Sequence, residues 1–301
     1  MRRVIGAIGR SFVTFGVLIL LFVTYQLWGT GLYTSREQDK LRDTFTSLLE
    51  QRSDRPTTTT SATDVTAPTV TTTTTPPARV APLARDGEAI AQIRIPRIDV
   101  DSIVVQGIAL DDLRKGPGHY PDSPLPGQEG NAAIAGHRTT YGAPFGSLEQ
   151  LEEGDRILIR TFQGDFTYEV YQANLIVQPN EVHVLEPDKF RAATLTLTTC
   201  NPKYSAAQRL VVKAALQEEP LPAPAQQSPT AKLTKVGLSG EESSTTPTVI
   251  AGLVVALIGA LWWLLFHRHP SLTNWLIGVV PFAVALLAFY ALLERVLPSN
   301  Y

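Results

Sequence analysis

Three long apolar runs constrain this chain before anything else does: Ser11 to Trp28, Thr248 to Phe266 and Asn274 to Leu293. Each is long enough to cross the hydrocarbon core of a bilayer. Helices of this composition lodge in lipid and leave the polar middle to fold by itself. "MRR" precedes the first run, and "YQLWGTGLY" after it offers no small-x-small cleavage site, so residues 1–30 read as an uncleaved signal anchor with its amino terminus in the cytoplasm. The last two runs flank "HRHPSLT" and read as a helical hairpin over residues 248–296, with the basic turn on the cytoplasmic side. Pro281 is expected to kink the final span without ending it. This topology puts the middle of the chain outside the cell membrane.

Between anchor and middle, Leu41, Phe45, Leu48 and Leu49 recur at helical spacing, which predicts a short amphipathic helix over residues 31–55. Residues 56–85, a Thr/Pro tract, hold too little apolar matter for a core and read as a stalk, either bare or O-glycosylated. Residues 220–247 are a second polar linker, leaving residues 86–219 as the globular domain. This domain carries 12 Lys and Arg against 19 Asp and Glu, an acidic balance that argues against nucleic acid as a partner. Its apolar segments are strand-like: "AQIRIPRI", "SIVVQGI", "NAAIAGHR", "DRILIRTF", "FTYEVYQANLIV", "ATLTLTTC" and "RLVVKAAL". Seven or eight short strands predict a mostly β fold, closed barrel or sandwich, with one helical turn or two from "FGSLEQLEEGD".

The single cysteine, Cys200, ends "TLTLTTC" and precedes Asn201 and Pro202, which stop the strand. A lone thiol outside the cytoplasm is buried and inert, bridged to another chain, or reactive; a sheet rim favours the last. His137, in "NAAIAGHRTTYGAPF", also stands at a strand end and is the candidate base, although an isolated histidine is more often structural. A turn through "NPKYSAAQ" brings Arg209 back beside Cys200 across a hairpin, although alone Arg209 reads as a solvated charge. Glu152, Glu153 and Asp155 form an acidic cluster that reads as a solvated turn; one cysteine and scattered histidines give no metal-ligand spacing.

"TLTTC" with Arg209 nine residues on, and "AGHR" some sixty residues earlier, resembles the sortases, cysteine transpeptidases built on an eight-stranded β-barrel. The resemblance implies that Cys200 is the nucleophile, His137 the general acid and base, and Arg209 the donor to substrate or oxyanion. "GPGHYPDSPLPGQEGNAAIAGHRTTYGAPFGSLEQL" is most similar to class E, the actinobacterial housekeeping type, whose LAxTG preference implicates a tyrosine at the position of Tyr141. Thr199, inside the motif, and His119, in "GPGHYP", are expected to border the substrate. No cofactor is implied, and Ca²⁺, used by some sortases, has no specific support here. The implied partners are surface proteins bearing a sorting signal, a lipid II-type peptidoglycan precursor amine, and the membrane. Two alternatives remain open: a pilin-polymerising class C enzyme, to which a trailing membrane span is more familiar, and a non-catalytic tethered assembly module. An L,D-transpeptidase would carry His-Gly ahead of its cysteine, where Thr198 and Thr199 stand.

Overall fold

The computed structural model describes residues 16–53, 84–223, 238, 245–266 and 272–296. The basic amino terminus, the Thr/Pro tract, most of the second linker and the "HRHPS" turn lie outside the described residues.

Residues 89–216 form eight strands closed into a barrel in the order β1-β2-β3-β4-β7-β8-β6-β5. They are β1 (Ala89–Ile95), β2 (Val100–Gln106), β3 (Gly118–His119), β4 (Gly130–Ala135), β5 (Arg156–Thr161), β6 (Asp165–Val177), β7 (Ala193–Asn201) and β8 (Gln208–Leu216). Seven coincide with the strand-like segments of the sequence. The eighth, β3, spans two residues, too short for any alternation to announce it. It pairs parallel with β2 and antiparallel with β4, completing the closure. "FGSLEQLEEGD" supplies only a 3₁₀ turn, Leu148–Gln150.

Side-chain alternation divides the core in two. Ala132 and Ile134 of β4, Leu195 and Leu197 of β7, and Leu210, Val212 and Ala214 of β8 fill the barrel interior. The intervening Ala133, Ala135 and Val211 face outward, yet they are buried too, under Val177, Val184, Leu185 and Leu238. Hence β7 is buried from Ala193 to Cys200, as a strand covered on both faces must be.

The chain is helical from residue 16, passes through a π-helical turn at Tyr25–Gly29, and continues as α1 (Thr30–Ser53). Thus the amphipathic segment runs on directly from the apolar one. It docks on the barrel: Gln38 accepts the Ile103 N–H at 2.7 Å and donates to the carbonyls of Ile103 (3.0 Å) and Lys115 (2.7 Å). Phe45 is buried with Ala89 and Ile103, flanked by Leu41 and Leu49, and its ring lies 4.7 Å from that of Phe162. Leu48, expected on the same face, is 41% exposed. Since α1 touches β1 and β2 before the Thr/Pro tract begins, that tract does not set the distance between helix and barrel.

A single turn, α2 (Leu110–Leu113), follows β2. Beyond the barrel lie α3 (Thr246–Phe266) and α4 (Leu272–Val296). Of the three expected spans, Thr246–Leu265 is the one helix among the described residues long and apolar enough to cross a membrane, with mean hydropathy 2.4. The apolar part of α4, Ile277–Leu293, is shorter, and α4 continues through Pro281. Thr248 Oγ1 donates to the Leu292 carbonyl at 2.8 Å, and the Tyr290 hydroxyl donates to the Leu18 carbonyl at 2.7 Å, joining the terminal helices.

Candidate functional site

The site is built on the outer face of the sheet, where β4, β7 and β8 run side by side. Cys200 and Arg209 are directly paired residues of antiparallel β7 and β8, so both side chains leave the sheet on the same side. β4 runs parallel to β7 with Ala135 opposite Thr198, and two residues beyond that pair stand His137 and Cys200. The Gly136 N–H donates to the Thr198 carbonyl at 3.0 Å, carrying the alignment past the last paired residue. Three strand ends thus deliver the three predicted side chains to one place, all of them buried: Cys200 and Arg209 at 1% exposure and His137 at 2%.

Burial pushes the Cys200 thiol up to about 11, against the charges of Arg209 and Arg138, which pull it down. The resting sulfur is therefore a thiol at neutral pH, and attack requires a base. His137 places Nδ1 3.2 Å from the Thr140 hydroxyl, and its ring packs tilted by 39° against that of Tyr141, with centroids 4.9 Å apart. Tyr141 is 4% exposed and holds φ at 51°, a left-handed conformation that strains a bulky residue. Its N–H donates to Thr30 Oγ1 at 3.1 Å, so a residue of the N-terminal helix holds this loop. Gly136 has no room for a side chain: a Cβ there would stand 2.6 Å from the Phe145 ring.

Arg209 donates from Nη1 to the carbonyls of Ala206 and Gln208, each at 3.0 Å, and from Nε to the carbonyl of Leu238 at 3.4 Å. The Leu238 N–H donates to the Pro179 carbonyl at 2.8 Å, and its side chain joins the outer apolar cluster at 1% exposure. A residue of the second linker therefore occupies the surface beside Arg209.

Thr199 is not brought to this face. Strand alternation turns it opposite to Cys200, onto the side of Leu195 and Leu197, where its hydroxyl donates to the Gly136 carbonyl at 2.7 Å. His119 is buried on β3, with Nδ1 3.0 Å from Gln106 Oε1 and Nε2 2.9 Å from the Pro124 carbonyl and 3.0 Å from the Ser123 hydroxyl. Burial drives its pKa down to about 4, so the ring is neutral at physiological pH. The neighbouring Tyr120 meets the site's floor instead, its hydroxyl 3.3 Å from that of Thr198.

Sequence reasoning passed over Arg138. Its Nη1 donates to the Cys200 carbonyl at 2.8 Å and to Asn201 Oδ1 at 2.7 Å, while Nη2 pairs with Glu149 at 3.2 Å, tying the end of β4 to the end of β7. Adjacency to His137 was its sole signal. The acidic turn is bridged by Arg97, which reaches Glu152 at 3.4 Å and Asp155 at 3.8 Å. Among the described residues no three His, Cys, Asp or Glu are grouped to hold a metal ion.

Comparison with known proteins meets this geometry on the same residues. The sortase domain family matches residues 93–217. Sortase SrtE1 of Streptomyces coelicolor is 30% identical over 226 residues, covering 71% of this chain and 57% of SrtE1. Sortase D of Bacillus subtilis is 35% identical over 117 residues, covering 38% of this chain and 56% of that protein. The chain thus spans somewhat over half the length of these two relatives. The solved structure of sortase E from Streptomyces avermitilis is 35% identical, covers 45% of this chain and 93% of its own, and superposes with a TM-score of 0.40. A family of cysteine transpeptidases thus matches the stretch that carries Cys200, and the barrel of this chain is a sortase domain.

Proposed function

We propose that this chain is a membrane-anchored class E-type sortase that cleaves an LAxTG or LPxTG signal between Thr and Gly and joins the threonyl carbonyl to a cell-wall precursor amine. The observation that carries this is the register that puts Cys200 opposite Arg209, with His137 level with them at the end of β4. The Cys200 sulfur attacks the threonyl carbonyl as its proton passes to His137. The Thr–Gly C–N bond then breaks, and His137 returns the proton to the departing amine, leaving a thioester. An incoming amine forms a new C–N bond as the C–S bond breaks, and His137 takes the amine's proton and returns it to the released sulfur. Arg209 donates to the substrate backbone or to the oxyanion. Tyr141, packed on His137, lines the signal's second position, and Arg138 positions the two strand ends. Thr199 and His119 act on substrate only through the backbone they brace. The reaction as written needs no cofactor. The anchor and the α3–α4 hairpin hold the barrel at the outer membrane face, with the amino terminus inside. A pilin polymerase would differ in its acceptor, a lysine of another subunit.

The test uses the full chain in detergent with LAxTG and LPxTG peptides and an amine acceptor, with products weighed by mass spectrometry. A thioester on Cys200 and an amine-ligated product are expected, both lost in Cys200→Ala. Folded protein that forms neither would overturn the proposal. Faster reaction with LPxTG, unchanged in Tyr141→Ala, would remove the role given to Tyr141.

A further inference from the structure

Glu149 stands where the segment that carries His137 meets the segment that carries Cys200, and no step of the proposed reaction uses it. It lies in the 3₁₀ turn Leu148–Gln150, which the fully buried Leu148 fixes against the barrel interior. From there Oε2 accepts Arg138 Nη2 at 3.2 Å, and Oε1 accepts Lys203 Nζ at 2.8 Å. Arg138 directly follows the proposed base, and Lys203 lies three residues beyond the proposed nucleophile, in the loop from β7 to β8. Arg138 is buried, and its Nε meets no acceptor among the described residues, so the guanidinium sits here at a cost that its other bonds must offset. Those bonds run from Nη1 to the Cys200 carbonyl and Asn201 Oδ1, and from Nη2 to Glu149.

We propose that Glu149 is a positioning residue: its carboxylate holds the Arg138 guanidinium on the Cys200 carbonyl, and so fixes both the spacing of base and nucleophile and the positive charge beside the thiol. The bonds are continuous from Lys203 through Glu149 and Arg138 to Cys200. A long arginine side chain keeps many rotamers when one nitrogen alone is bound, and a charged anchor on the second nitrogen removes that freedom. Partial burial works against the charge on Glu149, yet the Lys203 bond and the Arg138 and Lys203 charges hold its pKa below the ordinary carboxylate value, so the anchor is ionised at neutral pH. Arg138 is one of the two charges that pull the Cys200 pKa down. The negative charge of Glu149 opposes a thiolate nearby, so its direct effect on Cys200 and its effect through Arg138 have opposite signs. That opposition separates positioning from mere proximity. The inference rests on the reading of Cys200 and His137 as nucleophile and base.

The experiment measures iodoacetamide alkylation of Cys200 in the full chain in detergent between about pH 8 and 10, with kcat and KM for ligation of the LAxTG peptide in the same preparation and melting curves as the folding control. Glu149→Ala and Glu149→Gln lack the charge alike, but only Gln keeps an acceptor for Arg138. Glu149→Ala is expected to alkylate about fivefold more slowly than Glu149→Gln, and to ligate with kcat about tenfold below the unaltered chain and KM within about twofold of it. Glu149→Asp keeps the charge and shortens the reach; it is expected to alkylate more slowly than the unaltered chain, and it carries the test if Glu149→Ala does not fold. Glu152→Gln, in the exposed turn, is the control with rates unchanged. Alkylation of Glu149→Ala as fast as Glu149→Gln, or of Glu149→Asp as fast as the unaltered chain, would overturn the proposal. A change in KM alone would assign Glu149 to peptide binding and overturn it as well. The alkylation difference needs no substrate: if it appears while the unaltered chain forms no thioester, the transpeptidase reading falls and the hold of Glu149 on the thiol stands. If the unaltered chain ligates and the difference is absent, only the role of Glu149 falls.

Discussion

Cys200 is a thiol because of where its strand leaves it. Had it stood one position earlier it would face the barrel interior with Leu195 and Leu197; at its actual position it shares the outer face with Thr196 and Thr198 and meets Arg209 across the ladder. Burial raises its pKa to about 11, and two guanidinium groups keep it from rising further. Thiolate therefore accumulates only as pH rises toward that value, and alkylation by iodoacetamide should accelerate by about tenfold per pH unit between neutrality and pH 10. Arg209→Gln removes one of the lowering charges and should slow alkylation at any fixed pH in that window. A rate that levels off below pH 8 would show a thiolate stored at rest, contrary to the burial argument. The same alternation places Thr199 on the far face. It was open to sequence reasoning, because period two is a local property, yet the motif that contains Thr199 drew attention to its neighbourhood and not to its direction.

At the scale of elements, the N-terminal helix takes part in the site. Thr30 Oγ1 accepts the Tyr141 N–H at 3.1 Å and donates to the Gln26 carbonyl at 2.7 Å, so the helix bonds to the loop that packs on His137. Left-handed backbone at Tyr141 and Ala143 costs energy that such bonds must offset. Thr30→Val keeps the shape and removes both bonds. The expected outcome is a loss of roughly 1 to 2 kcal/mol of loop ordering, seen as about tenfold lower kcat/KM for the sorting peptide with the melting temperature nearly unchanged. Unaltered kinetics would mean that the loop holds its shape without the helix. Nothing in "WGTGLY" announced this bond, since its partners are 111 residues apart in sequence. The Cys200–Arg209 pairing was legible because one hairpin makes it, whereas Arg138 reaches the Cys200 carbonyl across 62 residues.

Across the whole molecule, one described residue between barrel and hairpin, Leu238, lies at the site. Leu238 places its carbonyl on Arg209 and its side chain in the apolar cluster over β4, β7 and β8. On the proposed function, a peptide that reaches Arg209 from this side has to displace Leu238. Leu238→Ala removes a buried side chain, a change that weakens such docking by about 2 kcal/mol, and should lower KM for sorting peptides by a factor on the order of ten. A KM that stays the same would show that Leu238 lies clear of the peptide's path.

Sequence alone determined the apolar ends, seven of the eight strands, the helical face of Leu41, Phe45 and Leu49, and the hairpin that sets Arg209 beside Cys200. These rest on periodicity, composition and chain connectivity within a few residues, which operate before any distant segment arrives. The tertiary structure alone decided that the two-residue β3 closes the barrel, that the N-terminal helix runs unbroken onto it, that Arg138 ties β4 to β7, and that Thr30 and Leu238 bond to Tyr141 and Arg209 at the reactive face. Each of these is a contact between segments far apart in the chain, whose geometry follows from how the barrel closes and what packs on it.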